Sequence, residues 1–152
     1  MMHRTFFFVS LLLVCTAASA QDTSADKAAI ETLSRSRYTA LTARDSAAFA
    51  KIYAPDYEFT TSWGTREGLN FLRRFIKTVP PVFKLDPSNY KIVLSEDGKI
   101  GFAVLDLREE YGDKNGSEVS QTSFTEIYAK RGGKWLLIQG HNSPKTKAPW
   151  EK

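Results

Sequence analysis

The stretch that decides the fold is residues 120–143, SQTSFTEIYAKRGGKWLLIQGHNS. It contains two runs rich in β-branched and aromatic residues, and these are joined by Arg131-Gly132-Gly133-Lys134. Because two adjacent glycines supply the positive φ angles that tight hairpin turns need, the pattern predicts two long antiparallel strands that meet at this turn. We expect this hairpin to close an antiparallel sheet.

Two further strands are predicted upstream of this hairpin. Residues 89–95 alternate between apolar and polar side chains, and the turn signal Glu96-Asp97-Gly98-Lys99 leads into a strand over residues 100–110. Both faces of residues 100–107 are apolar, whereas a strand with one face in water should alternate. We therefore expect the outer face of the sheet to pair two copies of the chain as a homodimer.

The N-terminal half of the chain carries helix signals. Residues 23–26 resemble a capping box, and apolar residues recur after them at helical spacing as far as Leu41. Asp45 is a candidate cap for a second, short helix. That helix should end near Ala54, because Pro55 disfavours helical dihedral angles in the residue before it.

A strand and a third helix are predicted next. The strand covers residues 57–62, the helix begins at Thr65 or Arg66, and residues 79–81 (VPP) end it. Helices followed by antiparallel strands indicate an α+β fold in which the helices pack on one face of a curved sheet.

The first twenty residues are expected to be a signal peptide. His3 and Arg4 precede an apolar run over residues 6–14, and residues 18–20 (ASA) are small, as a signal peptidase requires. The apolar run is shorter than the roughly 20 residues that span a bilayer. We therefore expect residues 21–152 to form a single exported domain, periplasmic or secreted, with no membrane contact after cleavage.

Composition and motifs argue against several classes of protein. The formal net charge of +4 is mild, and the basic residues are scattered without interleaved aromatic residues, so a solvated surface is favoured over a nucleic-acid site. The sequence contains neither a Gly-rich phosphate loop nor His, Cys and Asp at metal-ligand spacing. No cofactor and no metal are expected.

Several short strings, taken in order, resemble the nuclear transport factor 2-like superfamily in its SnoaL-like and unknown-function branches. Residues 45–64 are similar to the corresponding part of the ketosteroid isomerase branch, whereas residues 124–128 (FTEIY) and 141–143 (HNS) are more similar to the SnoaL-like branches and to kinase-association domains. The resemblance implies a cone-shaped, cystatin-like fold, with N-terminal helices packed on a curved antiparallel sheet around a pocket.

The chain departs from the isomerase pattern at the position of the general base. In that branch a carboxylate stands three residues before the turn glycine, and counting back from Gly64 gives Thr61. A threonine hydroxyl is too weak a base at neutral pH to take that proton alone. Tyr38 lies one residue away from where the branch places an oxyanion-donating tyrosine, and the alternative is that its ring only packs between helix and sheet.

Three other residues are candidates for the pocket. Glu126 shares a face with Phe124 and Tyr128, so either that face is solvated or a carboxylate faces the cavity, where burial would raise its pKa. In the cavity, Glu126→Gln should change ligand binding while leaving the fold nearly as stable. His141 and Asn142 point to opposite sides of a regular strand, so at most one faces the pocket, and His141 is either an acid–base group or a hydrogen-bonding residue at the rim.

Three functions are compatible with these residues. The first is an exported protein that binds an apolar or amphipathic small molecule, without the isomerase general base. The second is an enzyme of the isomerase, cyclase or dehydratase type, with Glu126 or His141 as base and Tyr38 as electrophile. The third is a homodimeric assembly module. The predicted ligand-binding residues are Tyr38, Phe59, Thr61, Trp63, Phe124, Glu126, His141 and Asn142.

Overall fold

A computed structural model describes residues 23–62 and 64–145 of the chain. The predicted signal peptide, residues 1–20, and the predicted ligand contact of Trp63 lie outside the described residues. The elements in chain order are α1 (Thr23–Thr42), α2 (Ser46–Ala50), β1 (Tyr53–Thr60), β2 (Arg66–Gly68), α3 (Leu69–Thr78), β3 (Val82–Leu94), β4 (Ile100–Asp113), β5 (Gly116–Arg131) and β6 (Lys134–Pro144).

The strands form one curved six-stranded sheet in the order β2-β1-β6-β5-β4-β3. The N-terminal helices pack on it, which confirms the predicted α+β fold. The sheet is mixed, however, because β1 runs parallel to β6 while the other neighbouring strands are antiparallel. These two strands come from opposite ends of the chain, so no hairpin constrains their relative direction.

The predicted hairpins form at the expected turns. Gly132 and Gly133 have φ angles of 57° and 77°, and Gly98 has a φ angle of 65° in the turn between β3 and β4. The predicted bounds of the strands are less accurate than the predicted positions of the turns. β1 begins before residue 57 and contains Pro55, which the pairing tolerates because the register between β1 and β6 shifts in this segment. β3 begins before residue 89 for a related reason, since its register with β4 shifts between Ser88 and Lys91.

The short strand β2 was not predicted. Arg66 pairs with Thr60 of β1, so the backbone that was expected to begin the third helix continues the sheet instead, and α3 begins at Leu69. Three residues are too few for a hydrophobic pattern to indicate a strand. Within the described residues, no helix is long and apolar enough to cross a membrane.

The core lies between the helices and the concave face of the sheet. Along β4, Ala103, Leu105 and Leu107 point inward and are buried, whereas Phe102 and Val104 are on the outer face and are 42% and 41% exposed. The two apolar faces predicted for this strand therefore lie in different environments. A second group of buried residues, Tyr38, Leu105, Leu107 and Phe124, lines one end of the core and contributes to the site described next.

Candidate functional site

A buried carboxylate, Glu126, organises the interior between α1 and the sheet. Its side chain is fully buried, and each oxygen accepts two hydrogen bonds. Oε1 accepts from Arg37 Nη1 at 2.5 Å and from the Tyr38 hydroxyl at 2.9 Å. Oε2 accepts from Ser34 Oγ and from the Tyr128 hydroxyl, both at 2.6 Å. Four donors satisfy the carboxylate, and a guanidinium balances its charge.

Helical and strand periodicities bring these groups together. Ser34, Arg37 and Tyr38 lie three and four residues apart on α1 and therefore share one face of that helix. Glu126 and Tyr128 are two residues apart on β5 and point to the same side of the sheet. The network joins this face of α1 to the middle of the sheet.

Arg37 is held on three sides. Its Nε donates to the Tyr53 hydroxyl at 2.7 Å, and its guanidinium carbon lies 4.6 Å from the ring centre of Tyr38 and 5.0 Å from that of Phe124. Burial alone would lower the pKa of Arg37, but the surrounding phenols and Glu126 outweigh it and hold that pKa above its usual range. The side chain is therefore a fixed buried cation.

Burial also acts on the tyrosines of this network. It raises the pKa of Tyr128 and of Tyr38 well above the usual value for a phenol, and the nearby Glu126 carboxylate adds to both shifts. Burial likewise raises the pKa of Tyr90, whose hydroxyl lies 3.0 Å from Ser34 Oγ, to about 12. These hydroxyls stay protonated at neutral pH and act as hydrogen-bond donors.

A cavity of about 180 Å³ lies beside this network, and we call it the inner cavity. It lies between α1, α3 and the concave face of the sheet and is partly open to solvent. Most of its wall is apolar. The lining residues are Arg37, Tyr38, Leu41, Phe59, Thr61, Phe71, Leu72, Phe75, Leu85, Leu107, Glu109, Phe124 and Asn142. A larger depression of about 650 Å³ lies between β1, β2 and the start of α3, but it is open to solvent and lined mainly by charged and polar residues, so it is the weaker candidate for a small-molecule site.

Five of the eight predicted ligand-binding residues line the inner cavity: Tyr38, Phe59, Thr61, Phe124 and Asn142. The Phe59 and Phe124 rings stack with their centres 5.9 Å apart and form one continuous aromatic wall. The Thr61 hydroxyl lies 2.7 Å from that of Thr65 and accepts from the Thr65 backbone N–H at 3.1 Å, so its hydrogen bonds are made within its own turn.

The predicted acid–base candidates are not on the wall of the inner cavity. Glu126 lies behind Arg37 and Tyr38, with all four of its hydrogen bonds directed to protein groups. The hydroxyl proton of Tyr38, the predicted electrophile, is donated to Glu126 rather than to the cavity. His141 is exposed, whereas its neighbour Asn142 lies on the cavity wall. Strand alternation allows only one of these two side chains to face the cavity.

Glu109 is a cavity residue that the sequence interpretation missed. It is half-buried, lines the inner cavity, and accepts a hydrogen bond from Ser120 Oγ through Oε2 at 3.2 Å. Burial raises the pKa of its carboxyl, although the Ser120 hydrogen bond and the positive charge of Arg37 oppose this shift. Alternation along β4 was the available signal, since Glu109 follows Leu105 and Leu107 on the inward face.

This arrangement defines a class of protein: a helix-and-sheet cone with a partly enclosed, mainly apolar cavity that a few polar groups line. The model of the SnoaL-like domain family matches residues 35–138, and the chain belongs to that family. This confirms the resemblance to the nuclear transport factor 2-like superfamily. No curated protein matches the sequence.

Solved structures of the same fold come from proteins of diverse kinds. An uncharacterised protein with a cystatin-like fold from Caulobacter vibrioides is 23% identical with a TM-score of 0.67, and the match covers 79% of this chain and 89% of that one. A hexachlorocyclohexane dehydrochlorinase from Novosphingobium barchaimii is 20% identical with a TM-score of 0.72, covering 86% and 93%. A CamKII hub homology domain from Chlamydamonas reinhardtii is 16% identical with a TM-score of 0.67, covering 80% and 99%. At these identities the likeness shows the fold alone.

Proposed function

We propose that the chain is an exported protein that binds a small apolar or amphipathic molecule in the inner cavity. The observation that carries this proposal is a partly enclosed cavity whose wall consists mainly of aliphatic and aromatic side chains, interrupted by Arg37, Thr61, Glu109 and Asn142. Apolar area with a few placed polar groups is the usual composition of a small-molecule site. Export rests on the signal-peptide pattern of residues 1–20.

The volume of the inner cavity limits the size of the ligand. A protein cavity of about 150 Å³ lined by apolar side chains binds benzene. The inner cavity, at about 180 Å³, therefore accommodates a molecule with one ring and a small substituent. A steroid-sized ligand would require the walls to move apart.

Calorimetry and thermal denaturation with a panel of one-ring and two-ring molecules test this proposal. One-ring molecules should bind and raise the midpoint of unfolding, since a ligand at 100 times its Kd stabilises the native state by about 2.7 kcal/mol. Leu85→Phe, which adds volume at the half-buried wall, should remove binding. Lys84→Phe, at the exposed neighbouring position, is the matched control and should bind normally. Equal binding by both variants, or no binding by any panel member, would refute the proposal.

An enzyme is the second candidate, and the position of Glu109 favours it. A carboxyl whose pKa burial raises can take a proton from a bound molecule, while Arg37 stabilises the negative charge that develops there. In this reading Glu109 replaces Glu126 and His141 as the base of an isomerase, cyclase or dehydratase reaction. Loss of solvent-deuterium exchange into a bound carbonyl compound on Glu109→Gln, but not on His141→Gln, would support catalysis.

We also propose that two copies of the chain pair through the outer face of the sheet. Val93 and Phe102 are opposite each other on β3 and β4, and with Val104 they leave an apolar area in solvent, with exposed fractions of 51%, 42% and 41%. Ile127 of β5 is opposite Phe102 and extends this area across three strands. Contiguous apolar area of this kind is characteristic of association surfaces.

A further inference from the structure

The wall of the inner cavity carries one guanidinium, Arg37, and one carboxylate, Glu109, among the described residues. Arg37 and Glu126 form a buried pair at 2.5 Å, so their charges neutralise each other. Glu109 is the carboxylate on this wall among the described residues. It would repel an anionic ligand, and the guanidinium of Arg37 would repel a cationic ligand. The charge distribution therefore favours a neutral ligand.

Three groups on the wall have hydrogen-bonding capacity that the described residues do not use: Glu109 Oε1, Arg37 Nη2 and the buried Asn142 Oδ1. Among the hydrogen bonds of residues 23–62 and 64–145, none involves Glu109 Oε1, and none involves Arg37 Nη2. Oε1 of an ionised carboxylate is an acceptor, and a guanidinium nitrogen is a donor. Arg37 is close enough to oppose the burial-induced rise in the pKa of Glu109. The side chains of Glu109 and Arg37, which supply an acceptor and a donor, therefore line the same small cavity.

A hydroxyl is the neutral group that matches this pair. Its proton can be donated to a carboxylate while its oxygen accepts from a guanidinium. A hydrocarbon would displace water from both groups and offer no hydrogen bond in its place, which is costly for polar groups that are removed from solvent. A cavity of about 180 Å³ leaves space for one ring in addition to this group.

We propose that the inner cavity selects a neutral, single-ring molecule carrying a hydroxyl group, which donates to Glu109 and accepts from Arg37. This inference rests on the proposed binding function, and it assigns Glu109 as the residue that determines the class of ligand.

Four one-ring probes of similar size test the proposal by calorimetry at pH 8 with the purified chain: phenol, toluene, benzoate and benzylamine. Phenol should bind most tightly. Toluene should bind at least roughly 10- to 100-fold more weakly, because it lacks both hydrogen bonds that the hydroxyl makes to charged groups. Benzoate and benzylamine should also bind more weakly than phenol, since each introduces a charge that the wall opposes.

Variants at position 109 test whether Glu109 causes the preference for phenol over toluene. Glu109→Leu should remove the advantage of phenol over toluene while leaving toluene affinity equal or improved. Glu110→Leu is the matched control, because that side chain accepts from Lys84, Arg108 and Ser117 and does not line the inner cavity. It should keep the phenol preference of the unaltered chain.

The outcomes distinguish failure of the proposed ligand class from failure of the proposed binding function. Equal affinity for toluene and phenol, tighter binding of benzoate or benzylamine, or an unchanged preference in Glu109→Leu would overturn the assignment of the ligand class while leaving small-molecule binding intact. Failure of all four probes to bind would overturn the proposed binding function itself, and the ligand class with it.

Discussion

Replacing Glu126 by glutamine should strongly destabilise the fold. The amide can keep its oxygen toward Arg37 and Tyr38, and its nitrogen can donate to the hydroxyls of Ser34 and Tyr128 if these reverse their hydrogen bonds. Hydrogen bonding is therefore largely recoverable. The ion pair is not recoverable, because the guanidinium of Arg37 remains buried without the carboxylate that contacts it directly.

The expected cost follows from this unpaired charge. Removing one partner of a buried ion pair costs about 3–5 kcal/mol. The total stability of a domain is only about 5–15 kcal/mol, so the variant would lose a large share of it. The midpoint of thermal unfolding should fall by roughly 10–20 °C for a domain of this size. From the sequence we predicted little loss of stability, because the sequence does not indicate that Arg37 is the partner of Glu126.

Urea denaturation of a double-mutant cycle measures this effect. Glu126→Gln and Arg37→Met are compared with the double variant, in which both charges are absent. The double variant should be more stable than Glu126→Gln, because an apolar side chain replaces the unpaired cation. Glu118→Gln is the control at an exposed carboxylate and should change stability by less than about 0.5 kcal/mol. A loss below about 1 kcal/mol in Glu126→Gln, or a double variant that is no more stable, would refute the reasoning.

Three further predictions concern packing, pH and assembly. Gly140→Ala should lower the free energy of unfolding by about 1–3 kcal/mol in urea, because a Cβ there would lie 2.6 Å from the Tyr57 hydroxyl oxygen; a neutral result would contradict this packing. Burial raises the pKa of Glu109, so the stability it contributes is fully present below its unfolded pKa and is lost as pH rises through its folded pKa. Glu109→Gln should therefore unfold at a higher temperature than the unaltered chain at pH 8, with no difference below about pH 4, and the reverse trend would exclude a raised pKa. Phe102→Lys on the outer face should convert a dimer to a monomer in light scattering, and a monomeric unaltered chain would contradict the proposed pairing.

Much of the fold could be predicted because its signals are local. The glycines of the β5–β6 turn adopt the positive φ angles that their residue type favours, and Asp45 caps α2 through its own side chain, as the helix signal indicated. Alternation along the strands likewise placed Phe124 and Glu126 on one face. Each of these features depends on interactions within a few residues.

The partners of the site depend on tertiary structure. Arg37 and Glu126 are 89 residues apart in the chain, and nothing local to either one indicates the other. The strands of the parallel β1–β6 pair are likewise far apart in the chain, since Tyr53 pairs with Leu137, and no shared turn joins them. Packing also decided that Glu126 is enclosed behind α1 while Glu109 reaches the cavity, although both are carboxylates on inward-facing strand positions. The sequence by itself determined the turns, the strand faces and the start of α2, because torsional preference and solvation act on neighbouring residues. Two features depend on the packing of α1 on the sheet: the pairing of Arg37 with Glu126, and the position of Glu109 rather than Glu126 on the wall of the inner cavity.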